Sequence, residues 1–241
     1  MNQQAFAYTL LAASANVAGA AAVTSRSRWS MPALEKLLAL SAGFMVSVAL
    51  VDLVPEAIAQ HGANAALLIL LGYLLVHLTQ HTLVPHFHFG EEVHEVTKAV
   101  SMSALAGLLL HTFVDGVAIT SGFAVRAGLG FLVFIAILLH KLPEGVAISS
   151  IFLAAGSSRQ RALLAGASLG VATVVGGLMT EFIAPLKEYG IALAAGVSIY
   201  VGASNLVPEF QAKRDFGLQA SFFGGCALYL VARNLIGLAG S

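Results

Sequence analysis

Apolar runs of about twenty residues follow one another along almost the whole chain, and the stretches between them are too short to build anything else. A helix needs roughly 20 such residues to cross a bilayer. Only helices and closed barrels satisfy their backbone groups in lipid, and these runs are far too long for barrel strands. The charged fraction is 10%, against about 25% in soluble domains, and the mean hydropathy is +0.87. The chain therefore reads as an all-α integral membrane protein of about eight transmembrane helices, over residues 4–23, 34–55, 62–80, 99–122, 127–152, 162–184, 189–209 and 216–238. Residues 1–241 form a single transmembrane domain in contact with the lipid bilayer. Zero net charge offers nucleic acid nothing to bind. The lone Cys226 excludes an intramolecular disulfide. No basic segment precedes the first run, which reads as a retained span rather than a cleaved signal peptide.

Positive charge in the connections sets the orientation. Arg26, Arg28 and Lys36 flank the first connection, Lys98 the third, Arg159 and Arg161 the fifth, and Lys213 and Arg214 the seventh. The even connections carry less, chiefly Arg126 and a Lys187 offset by Glu188. The odd connections are therefore expected to face the cytoplasm, with both termini extracytoplasmic. The third connection, residues 81–98, is a histidine-rich cytoplasmic loop. It carries His81, His86, His88 and His94 with Glu91, Glu92 and Glu95, a composition suited to weak metal contact.

Two internal repeats organise the rest. His111-Thr112-Phe113-Val114-Asp115-Gly116-Val117-Ala118-Ile119 recurs as His140-Lys141-Leu142-Pro143-Glu144-Gly145-Val146-Ala147-Ile148. The segment Ala42–Glu56, ending Leu-Val-Pro-Glu, aligns without gaps to Ala195–Glu209, which ends the same way. Spans two and seven run in opposite directions, as do spans four and five. One approximate two-fold axis in the membrane plane would relate both pairs. That arrangement makes residues 1–80 and 162–241 inverted repeats around a central pair over 99–152. Inverted repeats with a midplane site are a hallmark of secondary transporters.

The short repeat carries the chemistry. In each copy a His and a carboxylate four residues apart share one helix face, near the middle of a span where ionisable groups are costly. His111, Asp115, His140 and Glu144 together offer two imidazoles and two carboxylates. That donor set suits a borderline divalent transition metal such as zinc, iron(II), manganese or cadmium. Met45 is a candidate thioether ligand. Gly116 and Gly145 would let spans four and five approach closely, and Pro143 should kink or open span five. Lys141 is expensive in mid-membrane unless paired. Its candidate partners are Glu181 in span six and the site carboxylates, and Glu181 is the expected one. Asp52, Glu56, Asn205 and Glu209, near the ends of spans two and seven, are candidate pathway or interface residues.

These residues resemble the ZIP family of divalent metal transporters. Its fourth span typically carries His-Asn-x-x-(Asp/Glu)-Gly, matched by His111, Asp115 and Gly116. Its fifth carries a His-Asn-x-Pro-Glu-Gly-like motif, matched by His140, Pro143, Glu144 and Gly145. The Leu-Val-Pro-Glu ends of spans two and seven and the histidine-bearing loop are also similar, so the resemblance covers nearly the whole chain. It implies an eight-helix, three-plus-two-plus-three bundle in the plasma (inner) membrane, often a homodimer. It also implies import of zinc, iron, manganese or cadmium toward the cytoplasm, with the metal as substrate and no enzymatic activity. Some members hold a second metal with the residue after each His and an acid from span six. Those positions are here Thr112, Lys141 and Glu181. A hydroxyl and an ammonium are poor substitutes for ligands, so a single-metal centre is expected.

Two other classes compete. A proton-coupled solute carrier would use His111 and His140 as proton relays. A membrane metalloenzyme would need a motif such as His-Glu-x-x-His, which the sequence lacks.

Overall fold

The computed structural model describes residues 3–25, 31–82, 98–211, 213 and 215–239. Every long apolar run is helical. Helices α1 (Gln3–Thr24), α2 (Met31–Val48), α3 (Val54–His61), α4 (Ala65–Thr82), α5 (Lys98–Val125), α6 (Ala127–Ala154), α7 (Arg159–Phe182), α8 (Ala184–Ile199), α9 (Val207–Gln211) and α10 (Phe216–Ala239) follow in order. Six helical segments of the described residues are long and apolar enough to cross a membrane: Gln3–Thr24, Glu35–Thr79, Ser101–Val125, Ala127–Ala154, Arg159–Phe182 and Ala184–Leu206. This makes the chain an all-helical integral membrane protein.

The helix α2 passes into α3 through a π-helical segment, Ala49–Leu53, and α8 passes into α9 through another, Tyr200–Leu206. Each precedes a proline, Pro55 or Pro208, that cannot donate to the helix ladder. The ladder absorbs the defect by widening its register. Val54 N–H bonds the Ala49 carbonyl and Val207 N–H bonds the Gly202 carbonyl, each five residues back. Wide turns of this kind concentrate at functional sites. Pro143, by contrast, lies inside an unbroken α6. The expected opening of that span is absent from its secondary structure.

The pair α5 and α6 forms the centre. α1 packs on α6 and α7, α7 on α5, α2 on α10, and α4 on α8. Glycines set the closest approaches, because a side chain there would meet a neighbouring backbone. A Cβ on Gly116 would lie 1.9 Å from the Thr173 carbonyl oxygen of α7, and one on Gly145 would lie 2.1 Å from the Asn16 carbonyl oxygen of α1. These two glycines therefore admit α7 and α1, not each other's helix as the sequence had implied. The glycine-bearing faces of α5 and α6 point outward from the central pair, while the His-acid faces meet. Three apolar clusters of the described residues complete the core, the largest joining Phe44, Leu53, Ile119, Leu129 and Tyr229 across α2, the π-helical segment after it, α5, α6 and α10.

Candidate metal centre

Among the described residues, one group of His and acidic side chains has ligand atoms close enough to share an ion. His111 and Asp115 come from α5, His140 and Glu144 from α6, all four are buried, and one ligand atom from each lies within 4.8 Å of the others. His111 Nε2 is 2.9 Å from Glu144 Oε1 and 3.3 Å from Asp115 Oδ2. His140 Nε2 is 3.4 Å from Asp115 Oδ2 and 3.6 Å from Glu144 Oε1. The i,i+4 spacing on each helix supplies half the group, and the face-to-face pairing of α5 and α6 supplies the convergence.

The protein holds these groups by their far sides. His140 Nδ1 donates to the Ala136 carbonyl at 2.8 Å. A carbonyl can only accept, so a neutral ring turns its Nε2 lone pair toward the carboxylates. His111 Nδ1 is buried without a hydrogen-bond partner among the described residues, while its Nε2 stands 2.9 Å from Glu144 Oε1. The two Nε2 atoms thus face the carboxylate oxygens Asp115 Oδ2 and Glu144 Oε1 across a common point, a donor set that suits a divalent cation.

Lys141 is fully buried. Its ammonium donates to Asp115 Oδ2 at 2.5 Å and Glu144 Oε2 at 3.1 Å. This corrects the expected Lys141–Glu181 pair. Glu181 is exposed near the end of α7, whereas the site carboxylates are already gathered where the ammonium needs compensation. Thr112 is buried and donates to Leu109 O of its own helix at 3.1 Å. Met45 is buried in an apolar cluster that includes Val114, the neighbour of Asp115.

Asp52 belongs to a second network. It accepts from Tyr229 Oη at 2.7 Å, and from Arg126 Nη2 and Arg233 Nε at 3.4 Å each. Arg126 also reaches Glu56 Oε2 at 2.6 Å. Arg126 lies about 20 Å beyond His111 along the helix direction, given a rise of about 1.5 Å per residue, so this network closes one end of the bundle apart from the central group. Asn205 is half-buried in the second π segment. His86, His88 and His94 lie outside the described residues, as do the side chains of His81 and Glu209.

Sequence reasoning missed Asn16. This buried α1 amide donates to Lys141 O at 2.9 Å and to Glu144 Oε2 at 3.3 Å. Its signal was a single amide within the first apolar run. The partners of Asp52, Tyr229 and Arg233 on α10, were missed as well.

Comparison with known proteins gives this centre a context. Residues 86–233 match the family described as ZIP Zinc transporter. The chain is 30% identical over 221 residues to the zinc transporter ZupT of Shigella dysenteriae serotype 1 (strain Sd197), covering 83% of this chain and 84% of the relative. It is 36% identical over 177 residues to the zinc transporter GufA of Myxococcus xanthus, covering 67% and 70%. The zinc transporter ZupT of Escherichia coli O7:K1 (strain IAI39 / ExPEC) is 29% identical over 221 residues. These relatives bear transporter names rather than enzyme names. With a buried His-carboxylate group at the centre of membrane-length helices, the chain belongs to the ZIP zinc transporter family.

Proposed function

We propose that this protein carries divalent transition-metal cations, zinc foremost, across the membrane toward the cytoplasm through the centre formed by His111, Asp115, His140 and Glu144. The carrying observation is the convergence of four buried ligand atoms from two helices within 4.8 Å. Two imidazoles and two carboxylates fit zinc's preference for four nitrogen and oxygen ligands, and the Nε2 atoms of both rings already face the carboxylates that would share the ion.

The centre holds one ion. The Lys141 ammonium stands on Asp115 Oδ2, the oxygen that also faces both imidazoles, and on Glu144 Oε2, so it already supplies beside the centre the positive charge that a second ion would bring. Thr112 offers no compensating charge.

The proposed fold is an eight-span bundle of two inverted repeats around α5 and α6. The 45-residue segment Glu35–Thr79 is about twice the length that crosses a hydrocarbon core, and its helix is interrupted at Gly62 with φ +55. We read it as two spans, and α10, with Phe223, Leu230 and Leu235 exposed, as a further one facing lipid. The repeat is supported by close contacts that recur in register. Gly43 meets Phe222 O and Gly196 meets Ile69 O; Gly72 meets Leu193 O and Gly225 meets Leu40 O. Every residue in the second member of each pair is offset from its mate as Ala195–Glu209 is from Ala42–Glu56. The two π segments share that register. Gly19 against Leu142 O likewise mirrors Gly176 against Phe113 O.

The test is uptake by proteoliposomes containing the purified protein. Saturable Zn²⁺ uptake is expected, together with its loss and the loss of bound metal in His140→Ala. Purified protein that retains no transition metal, in liposomes that take up none of Zn²⁺, Cd²⁺, Mn²⁺ or Fe²⁺, would overturn the proposal.

A further inference from the structure

The two oxygens of Glu144 have different partners. Oε1 faces His111 Nε2 at 2.9 Å and His140 Nε2 at 3.6 Å. Oε2 accepts from Lys141 Nζ at 3.1 Å and Asn16 Nδ2 at 3.3 Å. Asn16 is buried, and its second acceptor is the Lys141 carbonyl at 2.9 Å. A carbonyl and a carboxylate only accept, so the amide can face them only with its NH₂ end. Its Oδ1 is then left buried without a hydrogen bond. An amide that merely glues two helices would be expected to satisfy both ends. This one commits its donors to α6 and leaves its acceptor unmet. The backbone holds it there, since the Asn16 carbonyl oxygen occupies the space a Cβ on Gly145 would need, 2.1 Å away. The residue in the mirrored contact, Thr173 against Gly116, uses its hydroxyl within its own helix, on Leu169 O at 3.1 Å.

We infer that Asn16 is a positioning and specificity residue for the metal centre: it pins Oε2 of Glu144 so that this carboxylate offers the ion a single oxygen. The inference rests on the four-ligand reading above. A carboxylate with one oxygen pinned keeps the centre at four donor atoms, the number zinc favours. A carboxylate free to turn could offer both oxygens and suit larger ions that accept higher coordination. Asn16 thereby biases the centre toward a small tetrahedral ion without touching it.

The experiment titrates Zn²⁺, Cd²⁺ and Co²⁺ into full-length protein purified in detergent and records the visible Co²⁺ spectrum, which is intense for tetrahedral and weak for higher coordination. Asn16→Ala is expected to weaken Zn²⁺ binding by about 10–100-fold, the usual effect of losing a group that orients a ligand. Cd²⁺ binding should fall less, and the Co²⁺ bands should weaken. Asn16→Ser, whose hydroxyl is too short to reach Glu144, gives the same readouts where alanine yields no monodisperse protein. Thr173→Val should behave as the parent. If His140→Ala binds Co²⁺ like the parent, the four-ligand reading itself has failed. If His140→Ala loses Co²⁺ but the Asn16 variants keep the parent's Zn²⁺/Cd²⁺ ratio and spectrum, the role of Asn16 is overturned. Equal weakening of all three ions with an unchanged spectrum overturns it too, as the mark of a merely structural contact.

Discussion

In the proposed one-ion centre, Lys141 is the residue that limits the count. Removing one partner of a buried ion pair typically costs about 3–5 kcal/mol, so neutral substitutions at this position should destabilise the metal-free protein. Lys141→Asp changes the sign of the charge instead. It leaves three carboxylates beside two imidazoles, and the measured Zn²⁺ to protein ratio at saturation should rise from one to two. An unchanged ratio in folded protein would refute the account of Lys141 as the occupant of a second cation position. The convergent group of His111, Asp115, His140 and Glu144 was legible because a His and an acid at i and i+4 must share a face, whatever the rest of the fold does. The partner of Lys141 was not. Its i,i+3 neighbour Glu144 is close on any helix, but its shorter contact, Asp115, comes near only once α5 and α6 are face to face. Asn16 was hidden for the same reason: nothing local to the first span says which neighbour it meets.

At the scale of elements, small residues decide which helices touch. Gly116→Ala would place a methyl 1.9 Å from a carbonyl oxygen of α7, so the two backbones must separate. Overpacking of this kind costs typically about 1–3 kcal/mol, and the shift would pull α5 off the helix it packs on, lowering the thermal midpoint of the purified protein. Gly224→Ala has nothing within 4 Å of its new methyl. It should be neutral or stabilising by up to about 1 kcal/mol through helix propensity. Equal losses in both variants would contradict the assignment of Gly116 to a backbone contact. The run boundaries were readable because apolar length is a strong signal. The π segments were not, since a register shift leaves no trace in hydropathy. The Val-Pro-Glu triplets that end both repeats were their visible mark: a proline inside an apolar run must be accommodated somewhere in the turn before it.

For the whole molecule, the proposed topology makes a statement about sides. Polar contacts tie odd connections to odd and even to even. Arg159 donates to Thr24 O at 3.4 Å, joining the starts of α7 and the end of α1, and Lys213 pairs with Glu35 at 2.8 Å across the seventh and first connections. On the other side His61 reaches Glu188 O at 3.2 Å, and Arg126 pairs with Glu56. Alternation of spans requires this sorting, and the excess of Lys and Arg on the odd set is the ground for the proposal that this set faces the cytoplasm. Single cysteines test it in a protein whose native Cys226 is first changed to alanine. Ala63→Cys, in the exposed turn after α3, should react with a membrane-impermeant maleimide in intact cells. Gln160→Cys, exposed at the start of α7, should react only after permeabilisation. Reversed labelling would leave the bundle intact but invert its orientation, and with it the proposed direction of transport. Labelling of both from the same side would break the alternation itself, and the inverted repeat could not then stand.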